Sequence, residues 1–126
     1  MLSREEIIKD LKDTGALLNG HFLLSSGLHS DSYVQCALLL MYPELAEKFS
    51  RELAKKLIGF KADIVVGPAL GGVIVSYEVA RALKLPDIFT ERKNGEMKLR
   101  RNFKIDEGQR VLVIEDVVTT GGSVKE

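Results

Sequence analysis

Hydrophobic residues recur at helical spacing in two stretches of the chain. In the first, apolar positions three to four residues apart follow Ser3, and the spacing from Ser3 to Glu6 is that of a capping box. We therefore predict a helix over residues 3–13. In the second, an apolar stripe follows Pro43, and proline is favoured in the first turn of a helix. This pattern predicts a second amphipathic helix over residues 43–57.

The remaining hydrophobic positions predict strands and one further helix. Residues 19–36 are rich in Gly, Ser, His and Asp, which indicates short strands joined by turns. The apolar run 38–41 is predicted to be a strand of the core. From residue 63 the chain reads DIVVG, PALGG and VIVSYEVARALK, an order of strand, glycine loop and helix, and DIFT and RVLVIE follow as strands. Continuous apolar strands are typical of a parallel sheet covered on both faces, so the fold class is α/β.

Composition narrows the possible functions. The chain has 126 residues, which fit one domain, and its 18 basic residues balance 18 acidic ones. It therefore lacks the positive field that drives sequence-independent binding to nucleic acid or to a membrane, and we expect neither partner. The single cysteine, Cys36, excludes an intrachain disulfide and is expected to be a small core residue. Because we find neither a secretory signal nor a membrane-spanning apolar run, we expect a cytoplasmic protein.

The candidate chemistry lies at the end of the last predicted strand. The stretch VLVIEDVVTTGGS, residues 111–123, places Glu115 and Asp116 after four apolar residues and shortly before a run of hydroxyls and glycines. Glycines allow close backbone approach and hydroxyls add donors, so residues 119–123 suit a phosphate monoester. Two adjacent carboxylates would repel that phosphate unless they bind the hydroxyls of an attached sugar or a magnesium ion. The combination points to a phosphorylated ribose; the alternative is a turn in which Asp116 only caps the next helix.

This motif resembles the phosphoribosyl pyrophosphate (PRPP) motif of the type I phosphoribosyltransferases. The stretch GHFLLSSGLHSDSYVQ, residues 20–35, is similar to the opening segment of the orotate phosphoribosyltransferases, and ERK, residues 91–93, is similar to their Arg-Lys pair. GPALGG, residues 67–72, stands where their pyrophosphate loop follows a buried strand. The resemblance covers nearly the whole chain. It implies the type I phosphoribosyltransferase fold, a mostly parallel sheet flanked by helices with a small N-terminal hood segment.

The resemblance also implies a division of the chain and a set of site residues. Residues 1–126 are expected to form a single phosphoribosyltransferase domain, with the N-terminal helix and base-side hood in 1–40 and the PRPP-binding core in 41–126. The implied catalytic residues are Asp116, Glu115 and Lys98. The implied PRPP-binding residues are Arg92, Lys93, Lys98, Glu115, Asp116, Val117, Val118, Thr119, Thr120, Gly121, Gly122, Ser123, Leu70 and Gly71. The implied orotate-binding residues are Ser26, Gly27, Tyr33, Val34 and Thr119, and Mg²⁺ is expected to be held mainly by PRPP, near Glu115 and Asp116.

Several positions depart from the family pattern. Residues 70–71 are Leu-Gly where the family often has Tyr-Lys, and Tyr33 is the one ring that remains of an aromatic pair. The mobile loop lacks the family's Lys-x-His, so Lys98 is the nearest candidate for its lysine, with Arg100 and Arg101 as substitutes. The arginine that usually meets the orotate carboxylate has no counterpart in this sequence. This absence favours a core that is incomplete at its C-terminus.

The implied reaction transfers the phosphoribosyl group of PRPP to orotate, giving orotidine 5′-monophosphate and pyrophosphate in pyrimidine biosynthesis. Departure of pyrophosphate leaves a sugar with oxocarbenium character, so the adjacent carboxylates suit the ribose, while Mg²⁺ and the cations of residues 92–101 suit the leaving group. These cations are expected to lie on a mobile loop that closes and excludes water. A homodimer is expected, because the resemblance implies a loop that serves the neighbouring site. The alternatives are a phosphoribosyltransferase for another base and a PRPP-sensing regulator on the same fold.

Overall fold

The computed structural model describes residues 2–23 and 29–115, and for residues 18–23 and 29–33 it describes the backbone only. The helices are α1 (Arg4–Asp13), α2 (Cys36–Leu40), α3 (Pro43–Leu57) and α4 (Gly72–Leu83), with a 3-10 turn at Ile58–Phe60. The strands are β1 (Leu17–Leu23), β2 (His29–Val34), β3 (Ile64–Pro68), β4 (Asp87–Lys93), β5 (Glu96–Leu99) and β6 (Val111–Val113). Both helices predicted from hydrophobic spacing, and the later order of strand, glycine loop and helix, are confirmed.

The main sheet contains four strands in the order β5-β4-β3-β6. Strand β3 pairs in parallel with both β4 and β6, whereas β5 is antiparallel to β4. The predicted mostly parallel sheet is therefore confirmed. A separate antiparallel pair, β1 with β2, forms a hairpin in the part of the sequence where the hood segment is predicted.

The core lies on both faces of β3, because side chains alternate along a strand. On one face a cluster packs between the sheet and helices α3 and α4; it consists of Ala54, Val65, Val79, Ala80 and Ile114. On the other face a smaller cluster consists of Ile64, Val66 and Ile88, with Leu99 and Phe103 packed against it. The last two residues belong to the arm, defined here as residues 91–108. The polar arm is thus anchored to the core by apolar side chains.

The ends of the N-terminal helices follow from local chemistry. The hydroxyl of Ser3 accepts a hydrogen bond from the backbone N–H of Glu6 at 3.1 Å, as the capping-box pattern predicts. Helix α1 ends at Asp13 and is followed by Gly15 with φ +79°, a conformation that glycine adopts without strain. The ammonium of Lys48 on α3 lies 2.6 Å from the Asp10 carboxylate, which joins α1 to α3.

The predicted core strand over residues 38–41 is wrong. These residues belong to the short helix α2, and Met41 is its C-cap. Leu39 and Leu40 are buried, as expected of a core segment, but Met41 is 59% exposed. A run of four apolar residues fits a buried helix as well as a buried strand, so the pattern does not decide between them. Cys36, at the start of α2, is only partly buried and is therefore not the core residue that was expected.

Candidate active site

Three segments with candidate chemistry lie at the carboxyl edge of the sheet. Strand β3 leads into the loop of residues 69–71, β4 ends with Arg92 and Lys93, and β6 is followed shortly by Glu115. Parallel strands present their carboxyl ends at the same edge, where ligands of open α/β sheets bind. The fold therefore brings together segments that are up to 46 positions apart in the sequence, from residue 69 to residue 115.

The turn from β3 into α4 depends on a very close approach of backbone and side chain. A Cβ atom at Gly67 would lie 2.2 Å from the Oγ atom of Ser76 and 2.5 Å from the carbonyl oxygen of Gly72. Side chains other than hydrogen therefore do not fit at Gly67 unless the helix moves. The backbone N–H of Ala69 donates to the carbonyl oxygen of Thr90 at 2.8 Å, which ties the loop to β4.

The loop presents backbone groups rather than charged side chains. Leu70, one of the two predicted pyrophosphate contacts here, is 88% exposed, and Gly71, the other, is the N-cap of α4. Gly71 has no side chain that could cap this helix, which begins directly after the loop that follows β3. The first backbone N–H groups of α4 and the positive end of its dipole therefore face the carboxyl edge. A helix N-terminus of this kind binds phosphate-like anions.

Glu115 lies beside that helix N-terminus. A Cβ atom added at Gly72, the first residue of α4, would lie 3.0 Å from the carbonyl oxygen of Ile114 and 3.2 Å from Oε1 of Glu115. Gly72 thus allows the end of β6 to approach the helix closely. The structure places one of the two adjacent acids next to the predicted pyrophosphate loop, where the helix dipole favours a carboxylate.

The cations predicted to contact PRPP in the arm point to both faces of a hairpin. Strands β4 and β5 pair so that Glu91 is opposite Lys98 and Arg92 is opposite Met97. Because side chains alternate, Lys93 and Lys98 lie on the face of Glu91, and Arg92 lies on the opposite face. One guanidinium nitrogen of Arg92 donates to the carbonyl oxygen of Gly95 at 2.8 Å, and the Lys98 ammonium lies 3.8 Å from Glu96. A role for all three cations at one phosphate group stays a prediction.

The two arginines that follow β5 share one carboxylate. Glu91 Oε1 accepts a hydrogen bond from Nε of Arg101 at 2.7 Å, and Oε2 lies 3.5 Å from Nη1 of Arg100. The hydrogen bond from Arg101 lowers the pKa of Glu91, and the same bond raises the pKa of Arg101. The Arg101 guanidinium also lies 5.8 Å from the centre of the Phe89 ring, whose edge contact with Phe103 has a centroid distance of 5.2 Å.

A half-buried carboxylate supports the helix behind the loop. Asp87, at the start of β4, accepts a hydrogen bond of 3.4 Å from the Ser76 hydroxyl, which also lies 3.0 Å from the carbonyl oxygen of Val73. A hydroxyl has one proton to donate, so these two acceptors compete. The second Asp87 oxygen is buried without a partner, and burial raises the pKa of Asp87 to about 6.

Many of the predicted site residues lie outside the described part of the chain. They are Ser26, Gly27, Asp116, Val117, Val118, Thr119, Thr120, Gly121, Gly122 and Ser123. Of the predicted orotate contacts, the backbone of Tyr33 pairs with Leu18 in the N-terminal hairpin, and Val34 ends β2 and is partly buried. The predicted roles of all these residues stay predictions.

Sequence reasoning did not find four residues that organise the site. Gly67 and Ser76 set the turn from β3 into α4, Glu91 holds two arginines, and Phe103 anchors the arm. A signal was available for Glu91, because it is the one acid at the start of a strongly cationic stretch. For Gly67 the sequence offers a glycine at a strand end, which is too common to indicate such a tight contact.

Within residues 2–23 and 29–115, no group of three or more His, Cys, Asp and Glu side chains is placed to hold a metal ion. Across the same residues, no helix has the length and apolar character needed to cross a membrane.

Comparisons with known proteins show which family the chain belongs to. The chain is 59% identical over 125 residues to an orotate phosphoribosyltransferase from Caldicellulosiruptor saccharolyticus, covering 99% of this chain and 65% of the relative. It is 56% identical to an orotate phosphoribosyltransferase from Pelotomaculum thermopropionicum, again over 99% of this chain and 66% of the relative. The chain therefore spans about two thirds of the length of these curated relatives.

The fold is similar to that of a solved structure of the same description. The crystal structure of orotate phosphoribosyltransferase from Aeropyrum pernix matches with a TM-score of 0.72 and 26% identity, covering 94% of this chain and 69% of that one. The predicted resemblance to this group is thus confirmed. The model of the family described as the phosphoribosyl transferase domain matches residues 41–126. Because that match includes well over half of the sequence, the chain belongs to the phosphoribosyl transferase domain family.

Proposed function

We propose that this chain carries the PRPP-binding core and base-side segment of an orotate phosphoribosyltransferase. The enzyme transfers the phosphoribosyl group of PRPP to orotate and gives orotidine 5′-monophosphate and pyrophosphate, a cytoplasmic step of pyrimidine (UMP) biosynthesis. One observation carries the choice of base. The similarity to proteins named orotate phosphoribosyltransferase runs over 99% of the chain and so includes at least nearly all of the first 40 residues, which precede the domain match at residue 41.

The backbone at the end of β3 supports a diphosphate-binding role. The N-terminus of α4, where Gly71 supplies no capping side chain, and the exposed loop of residues 69–71 offer backbone N–H groups and a positive dipole end. This arrangement can bind the diphosphate of PRPP without the lysine that the family often has in this loop. Because this loop has no lysine, the cations of the arm must balance more of the negative charge of the leaving diphosphate.

The carboxylates at the end of β6 suit the ribose. As pyrophosphate leaves C1, positive charge develops on the sugar, and a fixed negative charge nearby stabilises that transition state. Glu115 lies beside the α4 N-terminus, between the loop and the end of β6, and Asp116 is the next residue along the chain. Orotate is an anion at neutral pH, so the reaction needs no general base from the protein.

A magnesium ion fits the chemistry of this edge. Carboxylate oxygens are ligands that Mg²⁺ prefers, and the Oε1 atom of Glu115 lies next to the loop that we assign to the diphosphate. We therefore propose that Mg²⁺ binds mainly through PRPP, near Glu115 and Asp116. When bound, it neutralises charge on the leaving diphosphate. The protein's own part is to hold the sugar hydroxyls and to present the arm cations Arg92, Lys93 and Lys98.

A homodimer is the proposed assembly, and an exposed apolar surface supports it. Met41, Leu70 and Ile74 are 59%, 88% and 50% exposed and border an apolar groove of about 560 Å³. Apolar surface of this kind is typical of association sites. We propose that a second copy of this chain binds in the groove. Leu70 belongs to the proposed pyrophosphate loop, and an active site shared between two copies needs an interface close to that loop.

The assembly is tested by sedimentation of two matched variants. Ile74→Glu places a charge in the groove and is expected to shift the protein to monomer. Ile58→Glu places the same charge at a residue that is 72% exposed and outside the groove, and is expected to leave the dimer intact. Dimers that persist in Ile74→Glu would show that the groove is not the interface.

The reaction is tested by orotate consumption in the presence of PRPP and Mg²⁺, with uracil, adenine and hypoxanthine in parallel. The assay uses this chain and any longer natural chain that contains it. Turnover of orotate alone is expected. Turnover of another base would show that the protein is a phosphoribosyltransferase for that base. PRPP binding without turnover of any base in either chain would support the PRPP-sensing regulator.

Asp116→Asn tests the assignment of the ribose. It removes the negative charge that we assign to stabilising the oxocarbenium ion, and asparagine keeps the shape of the side chain. Turnover is expected to fall by about 100-fold or more, with an unchanged unfolding midpoint. Activity close to that of the wild type would show that Asp116 does not stabilise the sugar.

A further inference from the structure

Glu91 makes a contact in the arm for which the proposed reaction gives no reason. It is an acid at the carboxyl end of β4, among cations that are assigned to a polyanionic ligand. Its two oxygens accept from Nε and Nη2 of Arg101 at 2.7 and 3.5 Å and from Nη1 of Arg100 at 3.5 Å. Both arginines that the sequence offers as substitutes for the loop lysine thus pair with the same carboxylate.

We propose that Glu91 is a positioning residue that holds Arg100 and Arg101 against β4 in the ligand-free protein and releases them to the diphosphate of the sugar substrate. The inference rests on the proposed function for the identity of that diphosphate. It goes beyond that function because it assigns the two arginines a resting partner and makes ligand binding a competition between two anions.

The position of Glu91 favours such an exchange. Thr90, the preceding residue, accepts a hydrogen bond from the backbone N–H of Ala69 at 2.8 Å. Glu91 therefore lies within one residue of the contact that ties the proposed pyrophosphate loop to β4. The arginines are therefore held at a residue that directly follows the strand position to which the loop is bonded.

The resting contact is of a kind that a diphosphate can replace. The side chains of Arg100 and Arg101 are 46% and 61% exposed and that of Glu91 is 19% exposed, so water and salt reach each pair from the arginine side and screen it in part. A diphosphate offers several oxygens and more than one negative charge. Guanidinium groups form paired, charge-assisted hydrogen bonds with such anions. The anion with more charge is the better partner for both arginines.

The backbone between the arginines and the anchor is suited to a change of conformation. Arg101 and Asn102 have φ values of +59° and +63°, and the N–H of Phe103 donates to the carbonyl oxygen of Arg100 at 3.0 Å. The left-handed conformation is unfavourable for arginine, so contacts to Glu91 and to the Phe89 ring hold this tight turn in place. Release of Arg101 relieves the unfavourable conformation, while Phe103 stays packed on the sheet.

The competition is tested by titrating inorganic pyrophosphate with Mg²⁺ into four proteins in a calorimeter. These are the wild type, Glu91→Gln, the double variant Arg100→Gln/Arg101→Gln, and the triple variant that combines them. Glu91→Gln is expected to bind pyrophosphate about two- to fivefold more tightly, because the arginines no longer have a competing partner. The same substitution is expected to change nothing when both arginines are absent.

Glu107→Gln is the matched control. It removes one negative charge from the same arm at an exposed residue, and its pyrophosphate affinity is expected to stay within the error of the wild type. A purely structural role of Glu91 would lower affinity and the unfolding midpoint together, and unchanged or weaker binding by Glu91→Gln overturns the proposal. The proposal is also overturned if Glu91→Gln raises pyrophosphate affinity equally with and without the two arginines.

The binding cycle is independent of the base. Failure to turn over orotate, with the expected pyrophosphate cycle intact, would reject the proposed function and keep the role of Glu91. Orotate turnover with no difference between the wild type and Glu91→Gln would keep the function and reject the role. Pyrophosphate binding by none of the four proteins would reject the role outright.

Discussion

The two anion-binding halves of the candidate site are built in different ways. The loop from β3 to α4 is fixed by contacts so close that a single Cβ atom at Gly67 would collide with Ser76 and Gly72. The arm, by contrast, is held by ion pairs between exposed arginines and the partly buried Glu91, and by the side chain of Phe103. One half is set by packing, which permits one arrangement, and the other by charges, which can exchange partners.

This difference fits a division of labour in the proposed reaction. A diphosphate must find its binding groups in place when it arrives, which a rigid helix N-terminus provides. The reacting centre must also open for substrate and close against water, which needs a segment of low local stability. The comparison therefore predicts that substitutions in the loop cost global stability, whereas those in the arm act mainly on local opening.

Gly67→Ala should have the largest effect on stability. The added methyl group meets the Gly72 carbonyl, which cannot move without displacing α4, so we expect a loss of about 3 kcal/mol or more in the free energy of unfolding. Urea denaturation measures it. Gly59→Ala is the control, because nothing lies within 4 Å of a Cβ atom there, and its effect should stay within about 0.5 kcal/mol. Equal urea midpoints for Gly67→Ala and Gly59→Ala would show that close packing at Gly67 does not fix the loop.

Phe103→Ala tests the anchor of the arm. Phe103 packs against the cluster of Ile64, Val66 and Ile88, but it is only partly buried, so a loss of about 2 kcal/mol is expected. Trypsin cleavage within the arm should accelerate by more than this global loss explains. Ile105→Ala, at an exposed arm residue, should change neither quantity. Cleavage no faster than global unfolding allows would mean that the arm opens only with the whole domain.

Asp87→Asn probes a weak point behind the rigid loop. Because burial raises the pKa of Asp87 to about 6, from 3.8, the folded state binds more protons than the unfolded state between these values. Stability contributed by the protonated form is therefore lost as the pH rises through this window. Asp87→Asn should match the wild type near pH 4 and exceed it by about 1 kcal/mol at pH 7.5, a value reduced for partial exposure.

The pH series has its own control. Asp106→Asn removes an exposed carboxylate and should leave the dependence of the unfolding free energy on pH as it is in the wild type. A wild-type stability that rises from pH 4 to pH 7 with no gain in Asp87→Asn would show that the carboxylate is better solvated, or better paired, than the structure indicates.

Salt should have the smallest effect and should act on one half only. Raising the ionic strength from about 0.05 to 0.5 M weakens the ion pairs of Glu91 from their exposed arginine side, so trypsin cleavage in the arm should accelerate by about twofold. Glu91→Gln should already be cleaved faster and should lose this salt dependence. A rate of trypsin cleavage that does not change with salt in the wild type would mean that the ion pairs do not hold the arm.

The sequence predicted those parts of the fold whose signals are local. Ser3 with Glu6, and Pro43 ahead of an apolar stripe, mark helix starts within a few residues. The apolar run of residues 38–41 carries no such mark, and there the prediction of a strand failed. For the site, the resemblance assigned Glu115, Leu70 and Gly71 to the same ligand, and the structure has the Glu115 carboxylate close to Gly72; the roles themselves stay predictions.

The sequence by itself determined the order of elements, the α/β class and the residue types available to bind a phosphorylated ribose, because spacing and composition act within a few residues. The tertiary structure decided the rest. It alone shows that Gly67 must be a glycine, that one oxygen of Asp87 is buried, and that Arg101 donates a hydrogen bond to Glu91. These facts depend on distances between residues of different elements, and such distances are set only when the elements pack.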